Sequence, residues 1–188
     1  MKTKGGNPVT AIYLSPSVQE HRQFIIGGSE EEYMNRIADA MMPYLRACGI
    51  SFFRNSPGST LSQIVARSNA GEYDLHLALH TSSSPENMKG VFQGPDVYYF
   101  TLSPEGQRAA DNVTSNLKKI YPDPNLVTLI PSTTMAELRR TKAPAILASI
   151  AYRDNYSDAA WIRDNIDEIG KNLVQSTAQY LGVPFVAP

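Results

Sequence analysis

The sequence predicts a single α/β domain, built on a mostly parallel sheet with helices on both faces. Two observations carry this prediction. Short β-prone runs alternate along the chain with stretches whose apolar residues recur at helical spacing, the pattern left by crossover-connected parallel strands. The length of 188 residues suits one domain with a sizeable core, and no repeat, linker or low-complexity stretch divides it.

Composition narrows the function classes. Hydrophobic residues make up 42%, charged residues 19%, and the formal net charge is -1, which describes an ordinary soluble globule. No basic excess points to nucleic acid or to an anionic membrane surface. No run reaches the roughly 18 apolar residues of a membrane span. The lone Cys48 has no internal disulfide partner and reads as a small buried residue at a helix end. Residues 1–8 are expected to be a flexible N-terminus without the apolar core of a secretory leader.

The elements follow in order. Val9 to Leu14 is the first expected strand, closed by Ser15-Pro16-Ser17. A polar loop leads to Gly27-Gly28, after which Ser29 and Glu32 are spaced as a capping box. The helix they open carries Met34, Ile37, Ala38, Met41 and Leu45 on one face, with Pro43 expected to bend or break it. Ile50 to Arg54 is the second strand. Pro57-Gly58 turns the chain, and Ser59 or Thr60 caps a helix bearing Leu61, Ile64 and Val65. Leu75, Leu77 and Leu79 alternate with Asp74, His76, Ala78 and His80 in the third strand. A fourth strand is expected from Gly90-Val91 to Phe100, then a helix opened by Ser103-Pro104. A short strand over Leu126 to Leu129, a helical turn or two over Met135 to Arg140, and a strand over Pro144 to Tyr152 follow. One closing helix is expected from near Asp158 to Leu181.

Candidate chemistry gathers at the carboxyl ends of these strands, where open α/β sheets bind ligands. His80 ends the third strand. His76 lies roughly 13 Å behind it on the same side, at about 3.3 Å per residue, so one straight strand cannot bring both to one ion. His76 is therefore read as a hydrogen-bonded interior residue. His21 follows the first strand, and Glu30, Glu31 or Glu32 stands at the start of the first helix. Two histidines and one carboxylate are the donor set of a catalytic zinc site. Glutamates also gather at helix N-termini for capping and dipole reasons alone, and that bland reading stands beside the first.

Ordered motifs add a resemblance. Ile12 to Ser17 with Gln19-Glu20-His21, Gly28-Ser29-Glu30-Glu31 with Met34-Asn35, and Asp74-Leu75-His76 through His80-Thr81-Ser82 resemble zinc-dependent N-acetylmuramoyl-L-alanine amidases of the cell-wall hydrolase and endolysin type. Arg67 with Asn69, Gly90, Glu137-Leu138 with Thr141 to Ala145, and Asp154-Asn155 with Asp158-Ala159 and Trp161 extend it over nearly the whole chain. The resemblance implies a six-stranded sheet and one Zn2+ held by His, Glu and His. It also implies hydrolysis of the peptidoglycan amide that joins the lactyl group of N-acetylmuramic acid to L-alanine, at the bacterial cell wall. Carried over by position, His80 is a ligand. Asn35 selects Glu31 four residues earlier, with Glu30 as runner-up. His21 stands in for a first histidine that relatives carry in a Gly-His-Gly turn, which here reads Ser15-Pro16-Ser17.

Two further departures bear on activity. Ser149 stands where the family has its catalytic glutamate, and Arg153 where relatives often have histidine. Losing a positioned general acid/base typically slows a reaction about 10²–10⁴-fold. Either Glu137 reaches the site as a substitute base, or the chain is a catalytically degenerate, zinc-containing module that binds peptidoglycan on the same fold. A serine nucleophile at Ser149 is the weakest reading, because no histidine is left to activate it if His21 and His80 bind metal.

Overall fold

A computed structural model of the chain describes residues 10–188; residues 1–8, expected to be flexible, and Val9 of the first expected strand lie outside the described residues. Six strands form one sheet: β1 (Ala11–Pro16), β2 (Ser51–Arg54), β3 (Leu75–Ser82), β4 (Asp96–Phe100), β5 (Thr128–Ser132) and β6 (Ala145–Tyr152). Their order is β2-β1-β3-β6-β4-β5. β2, β1, β3 and β6 run parallel, β4 pairs antiparallel with β6, and β5 runs parallel to β4. The helices are α1 (Glu30–Ala47), α2 (Leu61–Ala70), α3 (Pro104–Leu117), α4 (Ala136–Arg140), α5 (Tyr156–Asp164) and α6 (Ile166–Leu181). Among the described residues, no helix is long and apolar enough to cross a membrane.

Strand register divides the sheet into two unlike faces. Ile12 pairs with Leu75 and Leu14 with Leu77, so their side chains share a face with Leu79. That face is apolar and joins Ile146, Ala148 and the inner stripes of α1, α3 and α6 in one core. Each fully buried leucine contributes roughly 2 kcal/mol. A one-residue slip of β3 would turn Leu75, Leu77 and Leu79 away from this core, which fixes the register. The other face is polar. Tyr13 pairs with His76 and Ser15 with Ala78, and the Tyr13 ring stacks on the His76 ring at 5.1 Å between centroids.

Several expected boundaries moved for visible reasons. Pro43 sits within α1 without breaking it. Both Pro43 and Asp39, whose carbonyl loses its usual partner, are exposed, so water satisfies the freed group. β4 starts at Asp96, later than Gly90-Val91. Gly90 and Gly94 adopt φ of 74° and 99°, and the Asp154 and Asp158 carboxylates take their amides away from any strand ladder. The closing helix is two helices. Asn165 leaves helical geometry at φ -125° and ψ 24°, and its side chain takes the Trp161 carbonyl at 2.8 Å, ending α5.

Candidate active site

The polar face of the sheet carries a continuous chain of hydrogen bonds. Ser68 on α2 meets His76 Nδ1 at 2.9 Å, and His76 Nε2 donates to Glu137 Oε2 at 2.8 Å. Ser15 Oγ donates to the same oxygen at 2.7 Å. The other oxygen, Glu137 Oε1, lies 3.3 Å from His80 Nε2. The short helix α4 delivers Glu137 over the strands, and register explains the rest: Ser15, His76 and His80 all lie on the face opposite the leucines. His76 is thus the buried, hydrogen-bonded histidine its position suggested.

Glu30 closes the chain from the other side of His80. Its Oε1 lies 3.0 Å from His80 Nδ1, and its Oε2 accepts from Thr81 Oγ1 at 2.8 Å. Arg22 and Arg153 each place a guanidinium nitrogen 3.6 Å from the same Oε2. The Glu30 side chain has no solvent exposure, so these partners, with the Ser17 hydroxyl, compensate for its lost hydration. Helical phase puts it there. Glu30, Met34, Ile37, Met41 and Leu45 form one buried stripe, with the Ser29 side chain accepting from Glu32 N as the cap.

These contacts set the ionisation of the site. Burial alone would raise the Glu30 pKa, but hydrogen bonds and charge from His80, with the Ser17 and Thr81 hydroxyls, lower it to about 2. Burial likewise opposes ionisation of Glu137, and bonds from His76 and His80 hold it well below the usual carboxylate range. For His80, burial disfavours the cation, yet the two flanking carboxylates raise its pKa to about 9. At neutral pH His80 is therefore an imidazolium donating from both nitrogens.

The expected trio of His21, Glu31 and His80 is not brought together. His21 is exposed and lines a cleft of about 390 Å³ with Ser83, Ser84 and Lys89. The cause is local: Glu30 N donates to Arg22 O at 2.8 Å and Gln23 bridges to Ser29, which turns Arg22 rather than its neighbour toward Glu30. Glu31 lies about 100° further round the helix than Glu30. Asn35, which pointed to Glu31, bonds that residue's backbone carbonyl at 2.7 Å and not its carboxylate. Ser149 is buried, with its Oγ 2.7 Å from Ser82 Oγ.

Zinc in a catalytic site needs three protein donors on one ion. Among the described residues, no group of three His, Cys, Asp or Glu side chains is arranged to hold a metal. Glu30 and Glu137 face opposite nitrogens of the His80 ring, so an ion bound at either nitrogen lies away from one of the two carboxylates. The turn residues Ser15 and Ser17 direct their hydroxyls to Glu137 and Glu30. The residues present do not fit the zinc centre that the motifs suggested.

What the site offers is a proton donor and an acceptor beside an opening. His80 and Glu137 line a cleft of about 300 Å³ with Ser17, Gln19, Arg22 and Leu147. A larger open depression of about 630 Å³ between α1 and the α5–α6 junction contains none of these groups. Sequence reasoning missed the pairing of Arg22 and Arg153 with Glu30, and the parts of Ser15, Ser68 and Thr81. Strand parity alone puts Ser15 on the face opposite Ile12 and Leu14, while Ser68 comes from a helix whose placement no local pattern gives.

Comparison with known proteins completes the description. The family described as N-acetylmuramoyl-L-alanine amidase matches residues 22–179. No curated protein sequence matches the chain. Among solved structures, the N-acetylmuramoyl-L-alanine amidase AmiC2 of Nostoc punctiforme is similar with a TM-score of 0.83 and 15% identity, over 94% of this chain and 99% of that one. The N-acetylmuramyl-L-alanine amidase Ami1 from Mycobacterium smegmatis gives 0.78 and 16% identity, over 92% and 97%. The N-acetylmuramoyl-L-alanine amidase from Clostridium difficile 630 gives 0.80 and 15%, over 94% and 98%. At these identities the structural likeness speaks for the fold, and the family match speaks for kinship.

Proposed function

The chain belongs to the N-acetylmuramoyl-L-alanine amidase family and is a hydrolase of that type, and from that premise we propose that it cleaves, slowly, the peptidoglycan amide between N-acetylmuramic acid and L-alanine. The observation that carries this reading is the His80–Glu137 pair at 3.3 Å, which opens onto the cleft at the carboxyl ends of β1 and β3. A doubly protonated His80 is a donor for the carbonyl oxygen as negative charge develops on it. Glu137 is the one carboxylate beside it that faces the cleft; it takes the proton of the attacking water and returns it to the L-alanine nitrogen as the C–N bond breaks. Bonds from His76 and His80 hold its pKa low, so it is a weak base, and the reaction is correspondingly slow.

Members of the family are generally zinc-dependent. No step proposed here passes through zinc, because the donors of this chain do not fit it. A second reading rests on Ser149, the position that the resemblance gives to a catalytic glutamate, whose hydroxyl is tied to Ser82. On that reading the cleft binds peptidoglycan without turning it over.

Purified peptidoglycan incubated with the protein separates the two. The amidase reading expects new L-alanine amino termini to accumulate with wild type and not with Glu137→Gln. Sedimentation of the protein with peptidoglycan, with no new amino termini from wild type, would establish the binding module instead.

A further inference from the structure

We propose that this centre is built to hold no metal, the place of one as counter-charge to Glu30 being taken by two arginines of the chain itself, Arg22 and Arg153. The proposal rests on the amidase reading, since it is kinship with that family that makes a metal expected at all.

Three independent features of the site lead to it. The first is the donor set. His80 is the only histidine among the groups that meet here besides His76, and His76 is committed to Ser68 and Glu137 at 2.9 and 2.8 Å. The hydroxyls of Ser15 and Ser17 remain, and neutral hydroxyls are not among the thiolate, imidazole and carboxylate ligands that zinc selects. The second is direction. Each His80 nitrogen already points at a carboxylate, and the two carboxylates lie on opposite sides of the ring.

The third is charge. A fully buried carboxylate needs a positive partner. Glu30 has guanidinium nitrogens of Arg22 and Arg153 at 3.6 Å each, so two positive charges already face one negative. A divalent ion bound at Glu30 Oε2 would sit against both guanidiniums at short range, where like charges repel. Arg153 is held in this position by more than attraction to Glu30. Its Nη2 donates to Ser83 Oγ at 3.0 Å, its backbone amide donates to Ser82 O at 3.0 Å, and its carbonyl accepts from Ile25 N at 3.0 Å. The loop after β1 and the end of β6 are thereby stitched together around Glu30 by the chain's own cations.

The test is metal content together with thermal stability, on full-length protein without a histidine tag, produced in zinc-supplemented medium and desalted. The proposal expects zinc well below one equivalent per chain. It also expects a melting temperature that neither zinc chloride nor EDTA moves by more than about a degree. Arg153→Gln should lower the melting temperature by several degrees and Arg153→Lys by much less, because charge rather than shape is what Glu30 requires. One firmly held equivalent of zinc, lost in His80→Ala and matched by a melting temperature that EDTA lowers, would overturn it. Should Arg153→Gln fail to fold, the wild-type metal and melting data decide alone. The outcome is separable from that of the amidase reading: zinc-loaded protein that releases L-alanine termini refutes only the metal-free centre, and zinc-free protein that releases none refutes only the amidase.

Discussion

Glu137 Oε2 lies 2.8 Å from His76 Nε2, joining a helix of five residues to the buried start of β3 across 61 positions of sequence. The same carboxylate holds Ser15 of β1 and faces His80 at the strand end. Its loss is felt in stability as well as chemistry. Glu137→Gln keeps the shape and removes the charge, leaving His76 and His80 with a poorer acceptor. Breaking a buried charged pair costs about 3–5 kcal/mol, and the retained amide oxygen should bring the loss nearer about 2–3 kcal/mol. Urea denaturation of the two proteins measures it, and a loss under about 0.5 kcal/mol would contradict the network as described.

Stability should depend on pH from both sides. The Glu30 pKa falls from its ordinary 4.5 to about 2 on folding, so its contribution is present above about 4.5 and is lost as pH drops toward about 2. That of His80 rises from 6.5 to about 9, so its contribution is full below about 6.5 and fades as pH climbs through about 9. Together they define a plateau between about pH 4.5 and 6.5. Melting temperatures across pH 3 to 10 trace this window, and His80→Gln should flatten the alkaline limb and shrink the acid one as well, because His80 is the main partner that lowers the Glu30 pKa.

Much of this fold can be read from sequence because the signals are local. The Leu75-Leu77-Leu79 alternation gives β3 and its buried face, Ser103-Pro104 gives the start of α3, and Thr60 with Gln63 makes a full capping box on α2. The site is less legible because it depends on phase and on long-range pairing. A shift of one residue around α1 separates Glu31 from Glu30, and counting back from Asn35 cannot resolve it. His21 and Arg22 are adjacent, and only the bridge between Gln23 and Ser29 decides which of them faces inward. Arg153 looked like a local change of charge. Its meaning comes from Glu30, more than a hundred residues earlier.

Placing a carboxylate within β6, at the position the resemblance gives to the family's catalytic glutamate, should raise turnover. Ser149 pairs in register with His80, so Ser149→Glu places a base on the same face of the sheet. An increase of about 10²-fold in L-alanine termini released is expected, the lower end of what a positioned general base supplies. The melting temperature should fall, because Ser149 is buried and also lies opposite Asp96. Unchanged turnover in a folded Ser149→Glu protein would show that proton transfer is not what limits the wild type.

Asp158 ties the Gly94 turn and the end of β6 to α5 through three acceptor contacts: Tyr121 Oη at 2.6 Å, Gly94 N at 2.9 Å and Tyr152 N at 2.9 Å. Asp158→Ala strands these donors in a buried place, at a cost of about 2–4 kcal/mol. Hydrogen exchange should show the Gly94 and Tyr152 amides losing protection before those of β3.

The most direct measurement is release of L-alanine amino termini from purified peptidoglycan, followed with and without a chelator, by wild type and by Glu137→Gln. Slow release by wild type at the same rate in both conditions, and none by Glu137→Gln, is the predicted result. Release that stops in chelator and returns with zinc, or that persists in Glu137→Gln, would contradict a metal-free site working through His80 and Glu137.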